Sequence, residues 1–190
     1  MRLPFQITIC GLSELDRHAT ARVSHVLSIL DPSWPVPEVF GTYGEHEKLE
    51  LRFDDVIDET PGKTAPQPED VEALLAFGRD LAQEPRQDAH LLVHCHAGIS
   101  RSSAAMALLV AQTMPAEGGD EIFTELLRIR PQIWPNLRII ELGDAALGRG
   151  GALVAAVHQV YRGQIARYPG LAEELRPFGR DREIEIGLSG

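Results

Sequence analysis

His94-Cys95-His96-Ala97-Gly98-Ile99-Ser100-Arg101-Ser102 is the stretch on which the reading of this chain turns. A short apolar run, His90-Leu91-Leu92-Val93, leads into it, and a longer one, Ala104 to Ala111, leads out. The first reads as a buried strand. The second, alanine-rich and apolar nearly all round, reads as a buried helix. A loop between such a strand and helix turns successive backbone N–H groups inward, and the helix adds its positive N-terminal end. The stretch is therefore a cradle suited to a phosphate. Cys95 sits where a helix N-terminus and a nearby guanidinium favour the thiolate, the nucleophilic form. Arg101 offers a planar fork matched to two phosphate oxygens. Gly98 gives the loop room for a positive φ and for close approach to a ligand.

The whole chain sets bounds on this reading. Its 190 residues suffice for one domain with a full core, and 44% hydrophobic content is that of an ordinary globular protein. The net charge of −10 argues against nucleic-acid and anionic-membrane partners, so phosphate affinity has to come from a local pocket. Two cysteines, Cys10 and Cys95, make no disulfide framework, and a nucleophilic thiol calls for a reducing compartment. The N-terminus lacks a signal-peptide apolar core and no window reaches the length of a membrane span. The expectation is a soluble, cytoplasmic protein.

Along the chain, Phe5, Ile7 and Ile9 alternate with polar residues and predict a strand ending at Cys10-Gly11. Ser13-Glu14-Leu15-Asp16 reads as a capping box. Leu15, Ala19, Val23, Val26, Leu27 and Leu30 then share one face of a helix carrying His18 and His25, both in solvated or capping roles. Val39-Phe40 is a candidate short strand, and Leu49, Leu51 and Phe53 predict another. An acidic, then proline-bounded loop runs to Gln67. A helix opens at Pro68-Glu69-Asp70 and ends at Pro85, with Gly78 packing against the sheet. Downstream the pattern is helical: Ile122 to Leu127, Leu137 to Leu147, and Leu153 to Ile165. Residues 1–168 form one domain. Residues 169–190 read as a polar, loosely held tail in which Ile184 and Ile186 are a possible short strand.

Strands alternating with helices, followed by a helical half, give an α/β domain with a mostly parallel central sheet. The strand at Leu49–Phe53, the helix from Pro68 and the strand at Leu91–His94 form a crossover unit. If the strands are parallel, the acidic loop and the cradle emerge at one sheet edge, where open α/β sheets bind ligands. The carboxyl groups of Asp54, Asp55 and Asp58 are then candidates for proton transfer beside Cys95.

His-Cys-x-x-Gly-x-x-Arg-Ser, as it stands at His94 to Ser102, resembles the signature of the cysteine-dependent protein tyrosine phosphatase superfamily, its dual-specificity branch in particular. The resemblance implies a phosphatase-like fold and a metal-independent phosphomonoester hydrolase acting through a cysteinyl-phosphate. Cys95 would attack phosphorus. The N–H groups of His96, Ala97, Gly98, Ile99, Ser100 and Arg101, with the Arg101 guanidinium, would bind the phosphate. Ser102 would stabilise the sulfur or cap the next helix, and the His94 ring would support the loop. The family's apolar-x-apolar-x-Asp pattern at Leu51-Arg52-Phe53-Asp54-Asp55 implies that Asp55 is the general acid and base.

Ile133, Pro135 and Asn136 match a second family pattern, which makes Asn136 a brace for the loop or a helix N-cap. The resemblance spans about residues 49 to 140. The helices after Gly148 are similar to those of a bacterial group of predicted tyrosine phosphatases. Ile99 and Ser100 stand where phosphoinositide phosphatases carry a lysine, and no tyrosine-clamping segment is evident. The implied substrate is a phosphotyrosine-bearing protein or a small phosphomonoester; no cofactor, metal, nucleic acid or membrane is implied. The rival readings are a rhodanese-like sulfurtransferase, which needs no acid loop, and a catalytically inactive phosphoprotein-binding module.

Overall fold

The computed structural model describes residue 3, residues 5–83 and residues 89–189. Four parallel strands form its sheet: β1 (Gln6–Gly11), β2 (His25–Leu30), β3 (Glu47–Arg52) and β4 (His90–Cys95), in the spatial order β1-β4-β2-β3. The central β2 and β4 are buried along their whole length, as strands covered on both faces must be. The register pairs Gly11 with Cys95 and Leu30 with Arg52, so the carboxyl ends of all four strands reach one edge. This is the expected α/β fold with a mostly parallel sheet and a helical C-terminal half.

Among the described residues there are seven α-helices, the first between β3 and β4 and the rest after β4: α1 (Pro68–Gln83), α2 (Arg101–Thr113), α3 (Gly119–Ile129), α4 (Leu137–Ala146), α5 (Ala152–Arg167), α6 (Leu171–Leu175) and α7 (Asp181–Leu188). The end of the first, expected at Pro85, lies outside the described residues. Residues Arg101 to Ala111 of α2 are all buried, because the sheet lies on one side of it and α1, α3 and α4 on the others. Gly78 meets the side chains of Leu109 and Gln112, so it admits α2 and not, as expected, the sheet. Among the described residues, no helix is long and apolar enough to cross a membrane.

Three sequence expectations are corrected. The helix expected after Ser13 is a short 3-10 helix, Leu12–His18, followed by a break at Arg22 (φ 51°) and then β2. The physical reason is that a strand buried on both faces shows no alternation, so its apolar run matches a helix face as well. His25 accordingly lies buried in the sheet, its Nδ1 2.9 Å from Ser24 Oγ, rather than solvated. The strand expected at Val39-Phe40 is a 3-10 turn, Glu38–Thr42, whose Phe40 packs on Tyr43 and His94.

The third correction concerns residues 169–190. They are not loosely held and contain no strand among the described residues. They form α6, a 3-10 turn (Arg176–Phe178) and α7, which packs on α5 with Gly187 against Tyr161. Ile184 and Ala172 belong to the main hydrophobic core, and the boundary expected at residue 168 cuts through that core. The segment looks polar because two of its buried residues, Arg180 and Glu183, are charged. They are buried as a pair, which is what makes burial of charge tolerable.

Candidate active site

The cradle leaves the end of β4 and rests against the end of β1. Leu12 N–H donates to the His96 carbonyl at 2.9 Å, tying the loop to the neighbouring strand. Gly98 has φ +69°, and a Cβ there would lie 2.3 Å from the carbonyl carbon of Cys10. Glycine is thus required at this point by both conformation and contact. Arg130 Nη2 donates to the Ala97 carbonyl at 2.9 Å while the same guanidinium pairs with Glu14 at 2.8 Å. On the helix side, Trp134 N–H donates to the Ile99 carbonyl at 3.0 Å and Ser103 Oγ to the same oxygen at 2.5 Å. The bracing of the loop by Arg130 was not expected from the sequence.

At the centre, Cys95 Sγ and Ser102 Oγ are 3.2 Å apart and buried. Arg101 is buried at the start of α2. Its Nη1 donates at 2.7 Å to Asp31 Oδ1 and at 2.7 Å to the Phe53 carbonyl. Its Nε is buried with no partner among the described residues, leaving one edge of the fork to a ligand. Asp31 was not singled out in the sequence. It reaches the site because β2 lies between β3 and β4 in the sheet. His96 lines the same cleft, its Nε2 3.5 Å from Asp31 Oδ1 and its ring edge-on to Trp34 at 4.5 Å. Burial holds the His96 ring below its usual pKa, against the pull of Asp31. Behind the loop, His94 is fully buried, and burial pushes it down to about 4, so it is neutral. Its Nδ1 lies 3.4 Å from the Cys95 carbonyl.

The three acids have different surroundings. Asp58 is exposed and pairs with Arg182 at 2.7 Å. Asp54 Oδ1 takes Lys63 Nζ at 3.0 Å and Oδ2 takes Thr64 N–H at 2.8 Å. Asp55 Oδ1 receives three donors: Ser100 Oγ at 2.8 Å, Asn136 Nδ2 at 2.9 Å and Arg180 Nη2 at 2.5 Å. Burial pushes the Asp55 carboxyl up, but Arg180 and Arg101 together outweigh it and hold it below the usual carboxylate range. Asn136 serves both expected ends: its Oδ1 caps α4 through Ile139 N–H at 3.1 Å, and its Nδ2 braces the acid loop through Asp55 and the Val56 carbonyl.

Arg180, from the segment expected to be a tail, was missed. It also donates to the Asp55 carbonyl at 3.0 Å and Ser100 Oγ at 3.1 Å. Behind it Glu183 is fully buried, accepting from Trp134 Nε1 at 2.6 Å and Leu137 N–H at 2.9 Å. In the sequence, Arg180-Asp181-Arg182-Glu183 looks like any solvated charge run, and nothing in it announces burial. Asp31, Asp55, Cys95, His96, Arg101 and Arg180 border one cleft of about 870 Å³, which Trp134, Leu175, Pro177 and Phe178 also line. Among the described residues, no three His, Cys, Asp or Glu side chains gather as a metal site would need.

The protein-tyrosine phosphatase family model matches residues 61–134, which takes in the cradle and ends at Trp134. Solved structures are similar over most of their length. The Tk-PTP in its active form is 20% identical, with 78% of this chain and 94% of that one covered and a TM-score of 0.53. Human DUSP28 is 15% identical, covering 75% and 94%, with a TM-score of 0.55. PTPMT1 in complex with PI(5)P is 17% identical, covering 76% and 91%, with a TM-score of 0.55. No curated protein matches the chain.

The likeness to protein tyrosine and dual-specificity phosphatases is one of fold, and the family model matches the segment that carries the cradle.

Proposed function

We propose that this protein hydrolyses phosphomonoesters through a cysteinyl-phosphate intermediate, as a protein tyrosine or dual-specificity phosphatase does. The observation that carries the reading is the convergence on one cleft of Cys95, the open edge of Arg101 and the Asp55 carboxyl. Cys95 Sγ attacks phosphorus as the ester oxygen departs, and Asp55 gives that oxygen its proton. The Asp55 carboxylate then takes a proton from the water that attacks phosphorus, and the S–P bond breaks to return the thiolate. Ser102, 3.2 Å from the sulfur, donates to it as it leaves. The N–H groups from His96 to Arg101 and the Arg101 fork neutralise the charge spread over the equatorial oxygens, the task a metal performs in other phosphoryl transfers.

The first step needs Asp55 protonated, although Arg180 and Arg101 hold it ionised in the empty site. A bound phosphate dianion cancels the Arg101 charge and restores proton affinity to its neighbour. The substrate is a phosphotyrosine-bearing protein or a small phosphomonoester. PTPMT1 was solved with PI(5)P, but here Ile99 and Ser100 replace the basic residues that further phosphates on an inositol ring would call for. Nucleic acid and membrane are not partners in this reading.

Turnover of para-nitrophenyl phosphate in the presence of EDTA, beside a thiosulfate–cyanide assay, tests it. We expect metal-free phosphatase activity that Cys95→Ser abolishes while vanadate still binds. Sulfur transfer without phosphate release would establish the sulfurtransferase alternative, and binding without turnover the inactive module.

A further inference from the structure

The element that holds Asp55 comes from the C-terminal end of the chain. Arg180 is buried at the N-terminal edge of α7 and grips the acid loop at two points, the Asp55 carboxylate at 2.5 Å and the Asp55 carbonyl at 3.0 Å. It grips the cradle at a third, Ser100 Oγ at 3.1 Å, and Ser100 Oγ itself donates to Asp55. One guanidinium therefore fixes the distance between the acid and the phosphate loop. The guanidinium is in turn seated by Glu183, 3.4 Å away, whose carboxylate is tied to Trp134 and Leu137 just beyond the cradle's own braces. We propose that Arg180 is a positioning residue for the general acid, and that α6, the turn after it and α7 are part of the catalytic apparatus. The proposal rests on Asp55 being that acid.

The geometry has two consequences that separate in experiment. The fork sets where the carboxyl stands, so its loss lowers the rate where protonation of the leaving group matters. Its charge favours the ionised carboxylate, so its loss lets Asp55 keep its proton to higher pH. The other charged or titratable groups facing Asp55 are Arg101, His96 and, behind Arg180, Glu183. All three remain in the variants below.

The test compares kcat and its pH profile for phenyl phosphate and for 2,4-dinitrophenyl phosphate, whose leaving group needs little protonation, in the full chain. Arg180→Gln should lower kcat for phenyl phosphate roughly tenfold or more, a fraction of the full worth of a general acid. It should barely alter kcat for the dinitrophenyl ester and should move the basic limb to higher pH. Arg180→Lys keeps the charge without the fork, so the rate should fall while the limb stays put. It carries the test should the Gln variant not fold. Arg128→Gln, an exposed arginine of α3 that pairs with Glu125, should change neither. Equal losses with both esters, or an unmoved limb in Arg180→Gln, would overturn the assignment while leaving the phosphatase reading intact. A basic limb that survives Asp55→Asn would remove both Asp55 and Arg180 from their roles.

Discussion

Arg101 Nη1 lies 2.7 Å from Asp31 Oδ1, so the arginine of the phosphate loop is held from behind by a carboxylate at the end of a different strand. The same nitrogen donates to the Phe53 carbonyl, at the end of a third strand. The guanidinium is thus fixed before any ligand arrives, and its Nε is left without a partner among the described residues.

Removing that support should misdirect the fork. A hydrogen bond to a charged group contributes about 1.5–3 kcal/mol, and because Asp31 is partly exposed the lower end applies. Asp31→Ala should therefore reduce kcat/KM about tenfold. Asp31→Asn retains an acceptor and should cost less. A rise in phosphate affinity and rate in Asp31→Ala would show instead that the carboxylate acts mainly by repelling the substrate.

Asp55→Asn should lower kcat by about 10² to 10⁴ and remove the basic limb of the kcat profile, since a general acid is lost as pH rises past its pKa. The deficit should shrink with low-pKa leaving groups. Asp54→Asn should cost much less, because that carboxylate is occupied by Lys63 and the Thr64 N–H. If the limb disappears with Asp54 rather than Asp55, the acid has been placed one residue too late.

Gly98→Ala should damage the cradle more than any change of charge around it. The added methyl meets the backbone of β1 at 2.3 Å, and the residue stands at φ +69°. Strain of this kind costs of order 1–3 kcal/mol, and relief requires the loop to move away from β1. The expected result is a lower Tm together with loss of inhibition by inorganic phosphate, read by thermal unfolding and by the para-nitrophenyl phosphate assay.

His94 is buried neutral, with its pKa depressed to about 4. In the unfolded chain it titrates near 6.5, so between those values the unfolded state binds more protons than the folded one. Its contribution is full above about pH 6.5 and is lost as pH falls toward 4, amounting to about 3 kcal/mol at the limit. Denaturant unfolding of the wild type and of His94→Gln at several pH values in this window should show the stability difference between them shrinking as the pH falls. A constant difference would mean the ring is not buried neutral.

The stretch from His94 to Ser102 and the apolar runs on either side of it, residues 90–93 and 104–111, were sufficient to predict a strand, a loop and a buried helix, because each pattern there acts locally. The pattern at Leu49, Leu51 and Phe53 ends the strand at Asp54 and Asp55, and it is the resemblance to the family that chooses Asp55 between them. β2 was misread because a strand buried on both faces and a helix face present the same apolar spacing, and only pairing with β3 and β4 separates them.

What the sequence determined by itself is therefore the local chemistry: a cysteine in an N–H-lined loop, an arginine at the start of a helix and an acid at a strand end. What only the tertiary structure decided is which distant groups complete it. Asp31 is at Arg101 because the chain inserts β2 between the two strands of the crossover. Arg180 is at Asp55 because α7 packs on α5 and carries a buried ion pair with it. A charge reads as solvent-facing until a partner far along the chain removes it from water, and that partner is fixed by packing, which leaves no periodic trace in the sequence.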